Sequence, residues 1–450
     1  MKLLRAEFTR ISSLARAAFI TLLLCAVAGE ALSAARPAGV KFPDASLEPV
    51  AWKDLDGWTS DDHAAAFATF LASCRGILPD KRKPREAGAL FTALKAVCRH
   101  ARAAKPLAGE AAREFFEQNF RPVRIAKVGE GAGFLTGYYE PIVEGSRFPT
   151  REFNVPLYRR PADLVMQGAN RKGKTFANKG IVLRKFGRRK AVPYYDRAQI
   201  EDGALDGRHL EICWLKDPIA AFFIQIQGSA RIRLEDGAVL RVNYDAHNGH
   251  PYTPVGRILI ERGLVSREEM SMQRIRGWML ADPAGGRALR RQNKSFIFFR
   301  ITGLADHEEA HGGQGVALTP GRSIAVDRPR HVYGMPFWIE AELPLVSEEP
   351  TTKFRRLVVA QDTGSAIVGP ARADIYFGAG DDAERVAGRI RHAGRFVMLM
   401  PREIDLFAGR GKVPLPPVRP AMQAQAEPKP MAAPQPPAKP RKKHAPRRRR

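Results

Sequence analysis

The chain has 450 residues, 27% of them charged, and a formal net charge of +26 at pH 7. That length allows two or three domains and a hydrophobic core that needs no stapling. The positive charge would suit nucleic acid, but no nucleic-acid module is recognisable and the chain opens as an exported protein does, which excludes that partner.

Lys2, Arg5, Arg10 and Arg16 form a positive n-region, Ala17 to Ala28 an apolar run, and Ser33, Ala34 and Ala35 a small-residue cleavage site. The run is too short to span a bilayer, which takes about 20 residues. Residues 1–35 therefore read as a signal peptide, with a membrane anchor as the alternative. Export implies an oxidising compartment. Cys25 leaves with the signal; Cys74, Cys98 and Cys213 remain. Residues 61–77 read as a helix that Asp61 and Asp62 can cap, with Phe67, Phe70, Leu71 and Cys74 on one stripe. Residues 86–103 read as a second helix, with Leu90, Leu94, Val97 and Cys98 on its buried side. Two cysteines on apolar faces of neighbouring helices predict a Cys74–Cys98 disulfide; two reduced core thiols are the alternative. Cys213 reads as a buried free thiol. No CxxC pair supports a metal or redox site.

A third helix near 109–120 leads into Gly133-Phe134-Leu135-Thr136-Gly137-Tyr138-Tyr139-Glu140-Pro141. Adjacent tyrosines between Gly and Pro suit a rigid, partly exposed loop. Sugars pack flat C–H faces on aromatic rings, and tyrosine adds a hydroxyl; such a pair alone is more often structural. Residues 142 to about 210 are loop-rich and basic. Phe222, Ile224 and Ile226 then alternate with Phe223, Gln225 and Gln227, the pattern of a strand with two glutamines on one face. Residues 231–244 read as a hairpin turning at Glu235-Asp236-Gly237. Amphipathic helices follow near 253–262 and 266–280, and Asn293-x-Ser295 opens the strand Phe296–Phe299. His307-Glu308-Glu309-Ala310-His311 fits HExxH, but that chemistry needs a continuous helix and a third ligand. Gly312, Gly313 and Gly315 end any helix at once, so the segment reads as a polar loop without metal.

Leu318 to Ala325 leads through Val326 to Asp327, and Gly334-Met335-Pro336-Phe337-Trp338-Ile339 follows. Val358 to Ala360 reads as the end of a buried strand that delivers Asp362, with turns at Gly364 and Gly369. Asp374 opens the next strand, sharing a face with Tyr376 while Ile375 and Phe377 take the other. An acid pinned among apolar neighbours beside a second acid is where a carboxyl pKa rises; a turn cap and a solvated strand residue are the alternative. A helix near 383–393 ends at Gly394, and Phe396 to Met400 is a last core strand. Residues 411–450 are Pro, Ala, Gln, Lys and Arg, with eleven cations against the single acid Glu427. They read as a disordered basic tail suited to an anionic envelope surface.

Asp-Thr-Gly-x-Ala-Ile-x-Gly with Asp-Ile-Tyr-x-Gly, and the upstream segment ending at Asp327, resemble the three-aspartate domain of the membrane-bound lytic transglycosylase A family. Thr136-Gly137-Tyr138-Tyr139, Ile226-Gln227-Gly228-Ser229 and Tyr244 with Asn248-Gly249-His250-Pro251-Tyr252 resemble further family motifs. The resemblance implies a mostly β chain with flanking helices. Residues 45–141 and 305–405 would form a double-psi β-barrel catalytic domain, and 142–304 an inserted β-rich domain. It implies a peptidoglycan lytic transglycosylase that needs no cofactor and gives 1,6-anhydromuramyl products. A hydrolase on the same site and a non-catalytic peptidoglycan-binding protein are the alternatives. Asp374 would be the acid, supported by Asp362 and Asp327. Thr136, Tyr138, Tyr139, Gln225, Gln227, Ser229, Tyr244 and Asn248 would meet the glycan strand. Family members are often lipid-anchored through a cysteine, but Leu24 precedes Cys25 where that signal wants a small residue, which favours a free periplasmic protein.

Overall fold

Short antiparallel and parallel pairings curl one sheet of the chain until six of its strands close a ring. The computed structural model describes residues 42–82, 88–104, 106–167, 181–187, 190–346 and 351–405. The expected signal peptide and basic tail lie outside them.

The N-terminal part supplies strand β1 (Ala45–Pro49) and three helices, α1 (His63–Ile77), α2 (Ala89–Ala104) and α3 (Gly109–Asn119). Asp62 caps α1 by accepting the Ala65 N–H at 3.0 Å, satisfying one of the helix's free donors. Asp61 instead binds Arg322 through both guanidinium arms at 2.7 and 2.8 Å. Phe67 and Phe70 of α1 meet Phe115, Phe116 and Phe120 mostly edge-on, the preferred aromatic geometry. Cys74 and Cys98 form a disulfide with Cα atoms 5.2 Å apart, and Cys213 is buried and free.

The chain continues through β2 (Phe120–Lys127) and β3 (Gly133–Glu140). It then leaves the ring for a second sheet built from β4 (Ile142–Ser146), β5 (Val155–Tyr158), β9 (Glu211–Leu215), β10 (Ser229–Leu234), β11 (Val239–His247) and β12 (Ile297–Ile301). A small third sheet holds β6 (Leu164–Gln167), β7 (Ile181–Phe186) and β8 (Lys190–Pro193). Helices α4 (Pro218–Gln227), α5 (Val255–Glu261), α6 (Met272–Ala281) and α7 (Pro283–Gln292) belong to the same excursion. The chain returns with β13 (Ser323–Val326), β14 (Pro336–Leu343), β15 (Thr352–Asp362), β16 (Arg372–Ala379), α8 (Gly380–Ala387) and β17 (Arg391–Pro401). The ring runs β17-β14-β15-β13-β16-β3 and closes where Gly133–Thr136 pair with Arg391–Gly394. Closure needs a bare backbone at Gly133, where a Cβ would stand 2.3 Å from the Ala371 carbonyl. The architecture is mixed α/β, and the three N-terminal helices share one apolar core with the ring.

Several expectations change. Residues 222–227 form helix, not strand: Asp217 caps α4 at the Ile219 N–H, Pro218 starts it, and Gly228 ends it at φ +86°. Phe222, Phe223 and Ile224 are all buried, and a run buried all round has no periodicity to read. Tyr138 and Tyr139 lie in β3 rather than a loop. The basic stretch after 142 holds six strands, β4–β9, and α7 was not expected. The last helix stops at Ala387, and Gly394 sits inside β17, where a Cβ would meet Leu135 at 2.8 Å.

The two sheets are joined by one carboxylate. Glu140, at the end of β3, is 1% exposed and bonds Arg241 at 3.0 Å and Arg231 at 2.8 Å. Glu140→Ala would leave two guanidinium groups without their anion, so denaturant melts should show a loss of about 3–5 kcal/mol; a change below about 1 kcal/mol would contradict this reading.

Candidate active site

Strand register builds the site before any side chain is considered. Ala325 of β13 stands opposite Asp362 on one side and Asp374 on the other, and Asp374 stands opposite Thr136 of β3. Asp362, Ala325, Asp374 and Thr136 thus form one row across four strands. Ala325 supplies only a methyl group between the two acids. Ile324, Val326, Ala373 and Ile375 alternate to the opposite face and pack in the main core.

The two acids are solvated differently by the protein. Asp362 accepts three hydrogen bonds: the Gly313 N–H at 2.7 Å, the Thr363 N–H at 2.8 Å and the Tyr138 hydroxyl at 2.9 Å. Asp374 accepts one side-chain bond, from the Thr136 hydroxyl at 2.6 Å. Both acids keep a partial opening to the cleft yet are closely surrounded by protein. Burial raises both carboxyl pKa values, opposed at Asp362 by its donors and at Asp374 by Arg372 and Thr136. Tyr138 is held neutral by burial and by Asp362, and its ring packs 5.3 Å from that of Tyr376.

These acids line an open cleft. One wall is the turn Thr363–Ile367; the other comes from the second sheet's side, with Arg197, Gln225, Gln227, Tyr252, Asn293 and Ser295. Tyr138 and Gln227, expected from their motifs, and Gln225, expected from a strand alternation, all line the cleft, although the glutamines are presented by a helix. Their amide oxygens are already engaged, Gln225 by Arg197 at 2.8 Å and Gln227 by the Tyr139 N–H at 3.1 Å. The structure does not bring the other expected contacts to the cleft. Thr136 faces Asp374. Tyr139 lies on the opposite face of β3 with Ala383 and Ala387. Ser229 is buried in β10, and the Tyr244 N–H bonds the Gly228 carbonyl at 2.7 Å. Asn248 is buried, and its amide ties the backbone of Tyr195, Lys294 and Phe296 at 2.9 Å each. Asp327 is also absent from the lining: it accepts the Gly369 N–H at 2.8 Å and Arg330 at 3.0 Å, anchoring the loop between the other two acids. The HExxH segment is a loop in which Glu309 accepts the Tyr376 hydroxyl at 2.7 Å.

Two cleft residues had no readable role. Arg197 is 2% exposed and lies between the rings of Phe222 and Phe296, at 4.8 and 5.2 Å. Burial pushes its pKa down to about 10. It came from an aperiodic basic stretch that carries no such signal. The Tyr252 hydroxyl is pushed up to about 12, first by burial and then by Asp374; its only sequence signal was its place in a motif.

Family models describe two parts of this chain: the MltA specific insert domain matches residues 134–300 and the 3D domain matches residues 322–400. The membrane-bound lytic murein transglycosylase A of Vibrio cholerae is 33% identical over 282 residues, covering 61% of this chain and 68% of that protein. A solved membrane-bound lytic murein transglycosylase from Agrobacterium tumefaciens superposes with a TM-score of 0.70 at 35% identity, over 80% of this chain and 98% of that one. Escherichia coli MltA with bound chitohexaose superposes with a TM-score of 0.55 at 28% identity, over 81% and 94% of the two chains.

A carboxyl whose native pKa is raised contributes most stability below its unfolded value of about 3.9 and loses it as pH rises through the native pKa. Asp374→Asn keeps an acceptor for Thr136 and cannot ionise. It should melt above the parent at pH 8, with the gap closing toward pH 3. An Asn variant that melts lower than the parent at pH 8 would reverse the sign of this burial effect.

Proposed function

The chain belongs to the membrane-bound lytic murein transglycosylase A family, and from that premise we propose that Asp374 is the single acid and base of its reaction. The protein is a lytic murein transglycosylase acting on peptidoglycan. The bond cleaved is the β-1,4 link between N-acetylmuramic acid and N-acetylglucosamine. Protonated Asp374 gives its proton to the bridging oxygen as the C1–O4 bond breaks. The resulting carboxylate takes the proton of the muramyl 6-hydroxyl, whose oxygen closes on C1 to give the 1,6-anhydro ring. Atoms balance without water or a cofactor.

The observation that carries this reading is the contrast between the two acids. Asp374 sits on the cleft with one side-chain donor, and burial pushes its carboxyl pKa up, so it keeps its proton to higher pH than a free carboxyl does. Asp362 is committed to three donors, which suits an ionised neighbour that keeps Tyr138 in place. An ordinary glycosidase would need a second carboxyl free to act on water or on the sugar. Asp327, bound to Gly369 and Arg330, fits loop support better than proton transfer.

The finer architecture belongs to the same proposal. The closed ring is a double-psi β-barrel made from residues 45–141 and 305–405, and 142–304 is an inserted domain whose α4 and 293–295 segment face it across the cleft. A glycan strand would lie in that cleft against Tyr138, Gln225 and Gln227; the Escherichia coli relative was solved with bound chitohexaose. The protein works in the cell envelope after export. Among the described residues no helix is long and apolar enough to cross a membrane. Residues 411–450 would add attraction to anionic envelope surfaces.

Mass spectrometry of fragments released from purified sacculi tests the reaction. Anhydromuramyl ends are expected, and Asp374→Asn should lower their release at least about 100-fold. Reducing ends one water heavier would identify a hydrolase, and sacculus binding without soluble product would identify a binding protein.

A further inference from the structure

We infer that Arg372 is a positioning residue for this reaction: its guanidinium donates to the Thr136 hydroxyl oxygen and so fixes the one Thr136 proton on Asp374. The inference rests on Asp374 being the acid. Arg372 Nη2 lies 2.7 Å from Thr136 Oγ1, and Thr136 Oγ1 lies 2.6 Å from Asp374 Oδ1. Guanidinium has donors only, whereas a threonine hydroxyl has one proton and lone pairs that accept. With Arg372 occupying one lone pair, the hydroxyl has fewer ways to turn, and its proton is directed to the Asp374 carboxylate oxygen. Without Arg372 the hydroxyl could turn and accept a proton from Asp374, which would draw that proton away from the sugar.

The arginine is itself fixed. It bonds the Ala373 carbonyl, and its guanidinium stands 5.4 Å from the centre of the Phe134 ring. Phe134 and Arg372 are direct register partners on β3 and β16, two residues before Thr136 and Asp374. Each strand therefore places its side chain of the pair below, and its member of the reacting pair above, on one face. The groups facing Asp374 are Thr136 and Tyr138 from β3, Asp362 from β15, Tyr252 from the loop before α5, and Arg372 from its own strand. Both tyrosines stay neutral, and Asp362 carries the same charge sign as ionised Asp374. Arg372 is the cation that opposes them, and it shares its charge with the carboxylate through a single hydroxyl.

The role has two separable consequences. Arg372 keeps the Asp374 pKa from rising further, and it holds the acid's hydrogen-bond geometry. Release of anhydromuramyl fragments from sacculi, followed against pH, reads both. In Arg372→Met the alkaline limb should move up by about one pH unit, and the plateau rate should fall about tenfold. Arg372→Lys, which keeps the charge but not the planar fork, should return the limb toward the parent while leaving the plateau low. Thr136→Val should lower the plateau by itself, and adding Arg372→Met to it should lower the plateau little further. A parental limb in both Arg372 variants, or plateau losses that multiply independently in the double variant, would overturn the inference. Full activity in Asp374→Asn would instead remove the acid assignment beneath it. Melting curves on each variant separate loss of fold from loss of positioning, and the lysine variant keeps the test open if the methionine variant does not fold.

Discussion

The parallel pairing of β3 with β16 is the constraint on which the rest depends. It sets Thr136 beside Asp374 although 238 residues separate them in sequence. Parallel neighbours cannot be joined by a tight turn and need a long crossover. Here the connection runs through the excursion, with its two sheets and helices α4–α7, and then through ring strands β13–β15. The excursion that supplies the far wall of the cleft is thus also part of the link that the pairing requires. Loop-closure entropy grows only slowly with length, so a fold can carry so large a connection if the pairing it closes is well packed. The tight approach at Gly133 and the fully buried Leu135 indicate that it is.

Two identical carboxyl side chains meet different surroundings, and the division of tasks proposed for them follows from that difference. Each is crowded by protein, which disfavours charge. Asp362 is then surrounded by two backbone N–H groups and a phenol, all donors that favour the anion. Asp374 has a single hydroxyl, itself held by an arginine. The two acids differ in the count and kind of donors, not in residue type. Asp327 illustrates the same point from the other side: an aspartate of the same motif set, bound by Gly369 and Arg330, becomes a fastening for the loop.

The joint between the ring and the excursion is electrostatic. Glu140 ends β3 and is clasped by Arg231 of β10 and Arg241 of β11, which in turn hold the carbonyls of Asp306, Glu308 and Ala305. Buried ion pairs are weak sources of net stability but are strongly destabilising when broken. Such a joint suits a place where orientation matters more than added stability. Tyr376 continues the contact by donating to Glu309, so the strand that bears Asp374 also touches the returning segment.

Local sequence determined what depends on neighbours along the chain. The three N-terminal helices, the hairpin of β10 and β11, the pairing of Cys74 with Cys98, and the two strand-borne acids were legible because caps, turns and periodicity act within a few residues. The motif set pointed to Tyr138 and Gln227, which line the cleft, whereas Gln225 lines it from a helix rather than from the strand face its alternation suggested. Residues 222–225 are helical yet carry no helical period, because burial on every side erases it, and Gly394 reads locally as a helix stop because its close neighbour, Leu135, is remote in sequence. Arg197 and Arg372 carry no local mark, and Tyr252 is marked only by its place in a motif. Only tertiary structure decided their places, along with the hydrogen-bond partners of Thr136, Asn248 and Asp327. A side chain's charge state and hydrogen bonds are set by the groups folding brings within a few ångströms, and those groups lie on strands far apart in the chain.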